Sequence, residues 1–154
     1  MNAFPARPPR IELFQRTRPF FFVTFNTWKR LPILADTRIH DAFVAFCIRA
    51  HEEHHVAVGR YVLMPDHIHL FVFLPEDMIL SRWVQSLKSI LGKSLIFCGH
   101  DKPHWQEGFF DHVLRSGESY GEKWAYVLEN PVRAGLCQES GQWPWQGEIV
   151  RVEF

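Results

Sequence analysis

Apolar residues along the 154-residue chain fall into two kinds of run. FFFVTFNT (20–27) is dense in aromatic and β-branched residues and predicts a buried strand. From 37 to about 54 the period changes. Ile39, Phe43, Phe46 and Cys47 recur at helical spacing, and Asp36 or Thr37 is placed to cap that helix. VAVGRYVLM (56–64) and HIHLFVFLP (67–75) return to strand character. Pro65 and Asp66 between them predict a tight turn, so 56–75 reads as a hairpin. In SRWVQSLKSILGKSLIF (81–97), Trp83, Val84, Leu87, Ile90, Leu91 and Leu95 mark one helix face, with Ser81 as candidate cap and Gly99 past the end. HWQEGFFDHVLR (104–115) is irregular, then strand-like. GESYGEKWAYVLEN (117–130) predicts a last helix stopped by Pro131.

The order is β-α-β-β-α-β-α. Its first six elements match an α+β, ferredoxin-like or RRM-like split βαβ fold: an antiparallel sheet with helices on one face, here with an extra C-terminal helix. Such a sheet leaves its other face open to a ligand, although a fold does not fix a function. The expected organisation is a basic arm over 1–18, a folded domain over 19–137, and a tail over 138–154 whose Trp143, Pro144 and Trp145 predict a packed segment.

Composition narrows this picture. Hydrophobic residues make up 47% of the chain, enough for a core. No apolar run reaches the length of a membrane span, and the Pro- and Arg-rich start lacks the apolar centre of a secretory signal. Cys47, Cys98 and Cys137 are scattered and odd in number, which fits a reduced, cytoplasmic setting. Net charge is zero, but six basic residues face one acid over 1–30. Arg16 and Arg18 in that stretch are candidates for touching phosphates; a solvated tail is the plain alternative.

His67 and His69 raise the chemical question. Strand side chains alternate, so residues two apart share a face roughly 7 Å apart along the strand. Two imidazoles converging this way can hold a divalent metal, although paired surface histidines are also common. Ile68 and Leu70 then point to the opposite side. In AYVLENP, Tyr126 and Asn130 lie four apart on one helix face, roughly 6 Å along its axis. If that face covers the open side of the sheet, an amide oxygen and a phenol join the histidines. The alternative is a core aromatic and a helix-end residue. HEEHH (51–55) can bind metal, but a polar helix end explains it better. Asp66 can orient an imidazole or simply form the turn. His104 and His112 read as structural sooner than as site residues. Trp105 and Phe109 can stack unpaired bases or pack in the core.

Several motifs, in order, resemble a known family. YVLMPDHIHLFVFLP (61–75) is similar to the His-hydrophobic-His region of the single-tyrosine HUH transposases. WQEGFFDHVLR (105–115), followed by YVLENPVRAGL (126–136), resembles the REP-associated tyrosine transposases in particular, and FFFVTFNTWKR (20–30) resembles their first strand. The resemblance covers about 18–137. It implies metal-dependent cleavage and rejoining of single-stranded DNA that carries hairpins. It also implies Tyr126 as nucleophile through a 5′-phosphotyrosine, and a divalent metal, Mg2+ or Mn2+, on His67, His69 and Asn130. Arg115 and Arg133 match by motif and are candidates for DNA contact. So are the arm and some of Arg82, Lys88 and Lys93 on the 81–97 helix. Tyr61 and Tyr120 compete with Tyr126, but neither has an amide four residues on. One nucleophile per chain implies a monomer reusing its tyrosine or a homodimer. The alternative function is a hairpin-binding module without catalysis.

Overall fold

The computed structural model describes residues 10–12 and 19–153, so Arg16 and Arg18 lie outside the described residues. The elements are β1 (Arg10–Glu12), β2 (Phe20–Asn26), a 3-10 turn (Trp28–Arg30), α1 (Thr37–His54), β3 (Ala57–Leu63), β4 (His67–Phe73), α2 (Leu80–Phe97), β5 (Phe110–Leu114), α3 (Gly117–Leu128), α4 (Asn130–Arg133), β6 (Gln146–Glu148) and β7 (Arg151–Glu153). The main sheet runs β5-β2-β4-β3-β6, antiparallel at every pairing. Its first four strands give the split βαβ order expected from the sequence, so the fold is α+β of that type.

The two helices cover one face because the strands alternate. Val23, Phe25, Ile68, Leu70 and Val72 point into one cluster with Ile39, Phe43 and Cys47 of α1 and Trp83, Leu87 and Leu91 of α2. α1 begins where expected: the Asp36 side chain accepts from the Arg38 N–H. α2 does not start at a Ser81 cap. Ile79 is the N-cap and makes no side-chain bond, so Ser81 lies inside the first turn. Burial of the apolar stripe, rather than a cap, holds that end.

The opposite face is covered only in part. Along β4 it carries His67, His69 and Phe71, and along β2 Phe20, Phe22, Thr24 and Asn26; the register pairs Phe22 with Phe71, Thr24 with His69, and Asn26 with His67. Polarity therefore changes along the face. α3 packs on the apolar end, where Tyr120 meets Phe20 edge-on at 4.9 Å and Phe71 at 4.8 Å. The Tyr120 hydroxyl accepts from the Arg60 N–H at 2.9 Å. A bulge in β3 between Val58 and Tyr61 admits this contact. A Cβ on Gly59 would sit 2.5 Å from the Tyr120 oxygen.

Three features add detail to the expected organisation. Pro131 does not end the chain's helical path. α3 stops at Leu128, and Pro131 sits in the first turn of the short α4. Arg10–Glu12, within the segment expected as an arm, pairs in parallel with β7. The tail supplies β6, which adds a fifth strand to β3, and Trp143, whose Nε1 donates to the Leu63 carbonyl at 3.0 Å.

Candidate functional site

His67 and His69 stand at the polar, open end of the second face, as their spacing predicts. Their ring centroids are 4.7 Å apart. Each ring is fixed from behind. The His67 Nδ1–H donates to the Asp66 carboxylate at 2.7 Å, and His69 Nδ1 lies 2.7 Å from the Thr24 hydroxyl. With Nδ1 engaged on both rings, Nε2 is the nitrogen left to act on a ligand. Phe22 stacks on His69 at 5.4 Å. Burial, together with the charges of His67, Lys123, Arg30 and Arg133, pushes the His69 imidazole down to about 3. Burial also lowers His67, although Asp66 opposes it. Both rings are therefore neutral near pH 7, the form that binds metal.

Asp66 is more than a turn residue. Its backbone carbonyl accepts from Thr27 N–H at 2.9 Å while its carboxylate holds His67 and accepts from Arg30 Nε at 2.9 Å. Burial alone raises this carboxyl, but the hydrogen bonds and charges of Arg30 and His67 outweigh it and hold Asp66 below its ordinary range. Arg30 reaches Asp66 from a left-handed backbone, φ 56°, and Lys29 beside it has φ 52°. Such conformations cost non-glycine residues on the order of 1 kcal/mol each. Arg30, Thr24 and Lys123 had no signal in the sequence, because their closeness to the histidines depends on strand pairing and on the seat of α3.

The three tyrosines separate cleanly. Tyr61 is fully buried, its hydroxyl 2.7 Å from His40 Nε2. Tyr120 is buried and anchors α3. Burial raises both phenols well above their ordinary value. Tyr126 is 64% exposed. It lines a surface depression of about 390 Å³ with His112, Leu114, Ser119, Glu122 and Lys123. Arg133 ties Tyr126 to Asn130. Its guanidinium lies 4.1 Å from the Tyr126 ring centroid, and its Nη2 donates to the Tyr126 carbonyl at 2.7 Å and to the Asn130 Oδ1. Lys123, on the next turn up, lies over Phe22 at 5.2 Å, beside His69.

The site residues thus form two pairs, His67 with His69 and Tyr126 with Asn130. No hydrogen bond or ring contact joins the pairs among the described residues. Lys123 lies over Phe22, which itself stacks on His69, and this places α3 on the histidine side of the sheet. As a donor set, two oriented imidazoles and one amide oxygen fit a divalent cation, with the amide at present engaged by Arg133. Among the described residues, no three His, Cys, Asp or Glu side chains group to hold a metal, HEEHH included.

Other candidates fall elsewhere. Arg115 is exposed just after β5. His104 is buried as a structural residue, its Nε2–H donating to the His100 carbonyl at 2.8 Å. Trp105 and Phe109 pack against the core rather than presenting rings to a base; Trp105 meets Phe25 edge-on at 5.3 Å. Lys88 is no DNA cation. It is buried, with Nζ donating to the carbonyls of Gln106 and Gly108. α2 as a whole lies across the sheet from the histidines.

Known proteins resemble this chain in sequence and in fold. The family model described as "Transposase IS200 like" matches residues 21–120, a span that includes both histidines and stops short of Tyr126. The REP-associated tyrosine transposase of Escherichia coli (strain K12) is 29% identical over 127 residues, 81% of this chain and 73% of the relative. The structure of a REP-associated tyrosine transposase bound to a REP hairpin superposes with a TM-score of 0.67 at 24% identity, covering 95% of this chain and 82% of that one, which is a likeness of fold. The resemblance seen in the motifs is borne out, and with nearly two thirds of its length inside the family model the chain belongs to the IS200-like transposases.

Proposed function

We propose that the protein cleaves and rejoins single-stranded DNA at hairpin-bearing sequences by transesterification, with Tyr126 as the nucleophile. One observation carries this reading: of the three tyrosines, two are buried with engaged hydroxyls, and Tyr126 alone offers its phenol to solvent beside cationic side chains. The Tyr126 phenol gives up its proton and its oxygen bonds phosphorus. The P–O3′ bond breaks and the departing 3′ oxygen takes a proton. No water enters, so a second 3′-hydroxyl can reverse the step.

His67, His69 and Asn130 are the residues that would hold Mg2+ or Mn2+. When bound, the ion supplies positive charge that polarises the scissile phosphate. The chain's own groups do the rest. Asp66 and Thr24 fix the imidazoles. Lys123, Arg115 and Arg133 offer charge to the DNA backbone. An arriving phosphate competes for the Arg133 guanidinium, which frees Asn130 Oδ1. Arg16 and Arg18, outside the described residues, are further candidates for phosphate contact in this reading.

The test is incubation of labelled single strands carrying hairpins with the protein and Mn2+, followed by a denaturing gel. A covalent protein–DNA adduct that vanishes in Tyr126→Phe and with chelator is the expected result. Cleavage without adduct, persisting in Tyr126→Phe, replaces the reading with metal-dependent hydrolysis. Tight hairpin binding with neither cleavage nor adduct leaves a non-catalytic module. Cross-linking during the reaction separates one chain from two.

A further inference from the structure

Phe110 opens β5 with 63% of its surface exposed. An exposed phenylalanine is by itself ordinary. This one is placed by the register. It pairs with Thr24, and Thr24 pairs with His69, so Phe110 lies on the histidine face two strands from an imidazole. Beneath it, between the end of β2 and the segment before β5, is a cleft of about 260 Å³. Thr24, Asn26, Gln106, Glu107 and Phe110 are among its walls. We propose that this cleft is a subsite for a single unpaired nucleobase stacked on Phe110, next to the phosphate that is cut; the inference rests on the DNA-cleaving reading above.

Two further observations support it. The wall is held in place before any ligand arrives. Lys88 donates from α2 to the Gln106 and Gly108 carbonyls at 3.2 and 2.7 Å, and Gln106 N–H donates to the Asn26 carbonyl at 3.0 Å. Gly108 has φ +81°, a turn that a side chain resists. Preorganisation of this kind lowers the cost of binding.

Charge then assigns base and backbone. Lys123 and Arg133 stand on the α3–α4 side of the histidines and suit phosphates. The cleft carries the Glu107 carboxylate and the Asn26 and Gln106 amides. A carboxylate repels phosphate and accepts from amino groups, so the cleft takes a base, and one with an exocyclic amino group over thymine.

The test uses the full chain without metal and single strands, with and without a stem, carrying 2-aminopurine at each unpaired position in turn. Expected is quenching at one position. Phe110→Ala removes it and weakens binding by about 5- to 100-fold, the range of one aromatic stack. Phe110→Tyr retains both, and Glu107→Gln narrows the preference against thymine at that position. Quenching unchanged in Phe110→Ala, or absent at every position of every strand, overturns the subsite. A Phe110-dependent quench, with no covalent adduct when Mn2+ is then added to the same strands, keeps the subsite and rejects the nuclease chemistry. Equal adduct formation by wild type and Phe110→Ala, with no quench, does the reverse.

Discussion

The two faces of one sheet divide the work of this protein. On the helix-covered face, β4 contributes Ile68, Leu70 and Val72, all fully buried, to a cluster that closes over Tyr61. On the other face the same strand contributes His67, His69 and Phe71, and only the Phe71 end is sealed, by Tyr120. The strand pleat makes this possible: one run of residues builds a core and a reactive surface at once. Stability and chemistry are therefore separable by parity along β4, and substitutions on alternate residues should report on different properties.

The widest separation is expected between the tyrosines. Tyr126→Phe should lower adduct formation by at least about a thousandfold, as loss of a covalent nucleophile does, with no change in the unfolding midpoint. Tyr120→Phe should leave the adduct in place and reduce stability by about 1 kcal/mol, since it strands the Arg60 N–H. An adduct that survives Tyr126→Phe and disappears in Tyr120→Phe breaks the comparison. Next in size, Leu70→Ala should destabilise by about 3–5 kcal/mol in urea titrations, while Phe110→Ala, across the pleat on exposed β5, should change stability by less than about 0.5 kcal/mol.

The parity argument was legible at the start of the strand, where HIHL alternates polar with apolar, and not in LFVF, which is apolar on both faces. The order of the seven main elements was legible for the same reason: apolar period distinguishes helix from strand over long runs. What escaped were elements of three or four residues, β1, β6, β7 and α4, too short to show a period. Cation roles were misread where burial decides. Lys88 lies one turn from Val84, Leu91 and Gly92 on the buried side of its helix, and its amine turns inward to two carbonyls. Phe109 and Phe110 are adjacent and chemically identical, and only the register sends one to the core and the other to solvent. Asp66 admitted two roles from sequence and serves in both.

The support behind the histidines gives the intermediate effects. Asp66→Asn keeps the turn but replaces an acceptor that fixes the His67 tautomer. Affinity for Mn2+, followed by calorimetry, should fall about 10- to 100-fold; an unchanged affinity would mean that His67 is not a ligand. Gly59→Ala should cost about 1–3 kcal/mol, because the new methyl meets the Tyr120 oxygen at 2.5 Å. Tyr120→Phe in the same chain should recover part of that loss by removing the oxygen. Additive losses would show that the bulge itself, and not the tyrosine, requires glycine.

The last effect, spread gradually over more than two pH units, lies in pH. His69 is held down to about 3 and His67 and His40 are also lowered, in each case by burial first. In the unfolded chain these rings take up protons near pH 6.5, whereas the folded protein resists doing so. The unfolded state thus binds more protons as pH falls, and stability declines below about 6.5 toward the depressed folded values. At most, each such histidine contributes a slope of about 1.4 kcal/mol per pH unit. Above pH 4.5 the carboxylates contribute little, so urea unfolding between pH 7 and 4.5 isolates the histidine contribution. His69→Gln should flatten that slope by up to one proton, and His40→Gln should flatten it on the helix-covered face. If only His40→Gln acts, the open face is already wet enough to let its imidazoles charge, and the separation between the two faces lies in packing alone.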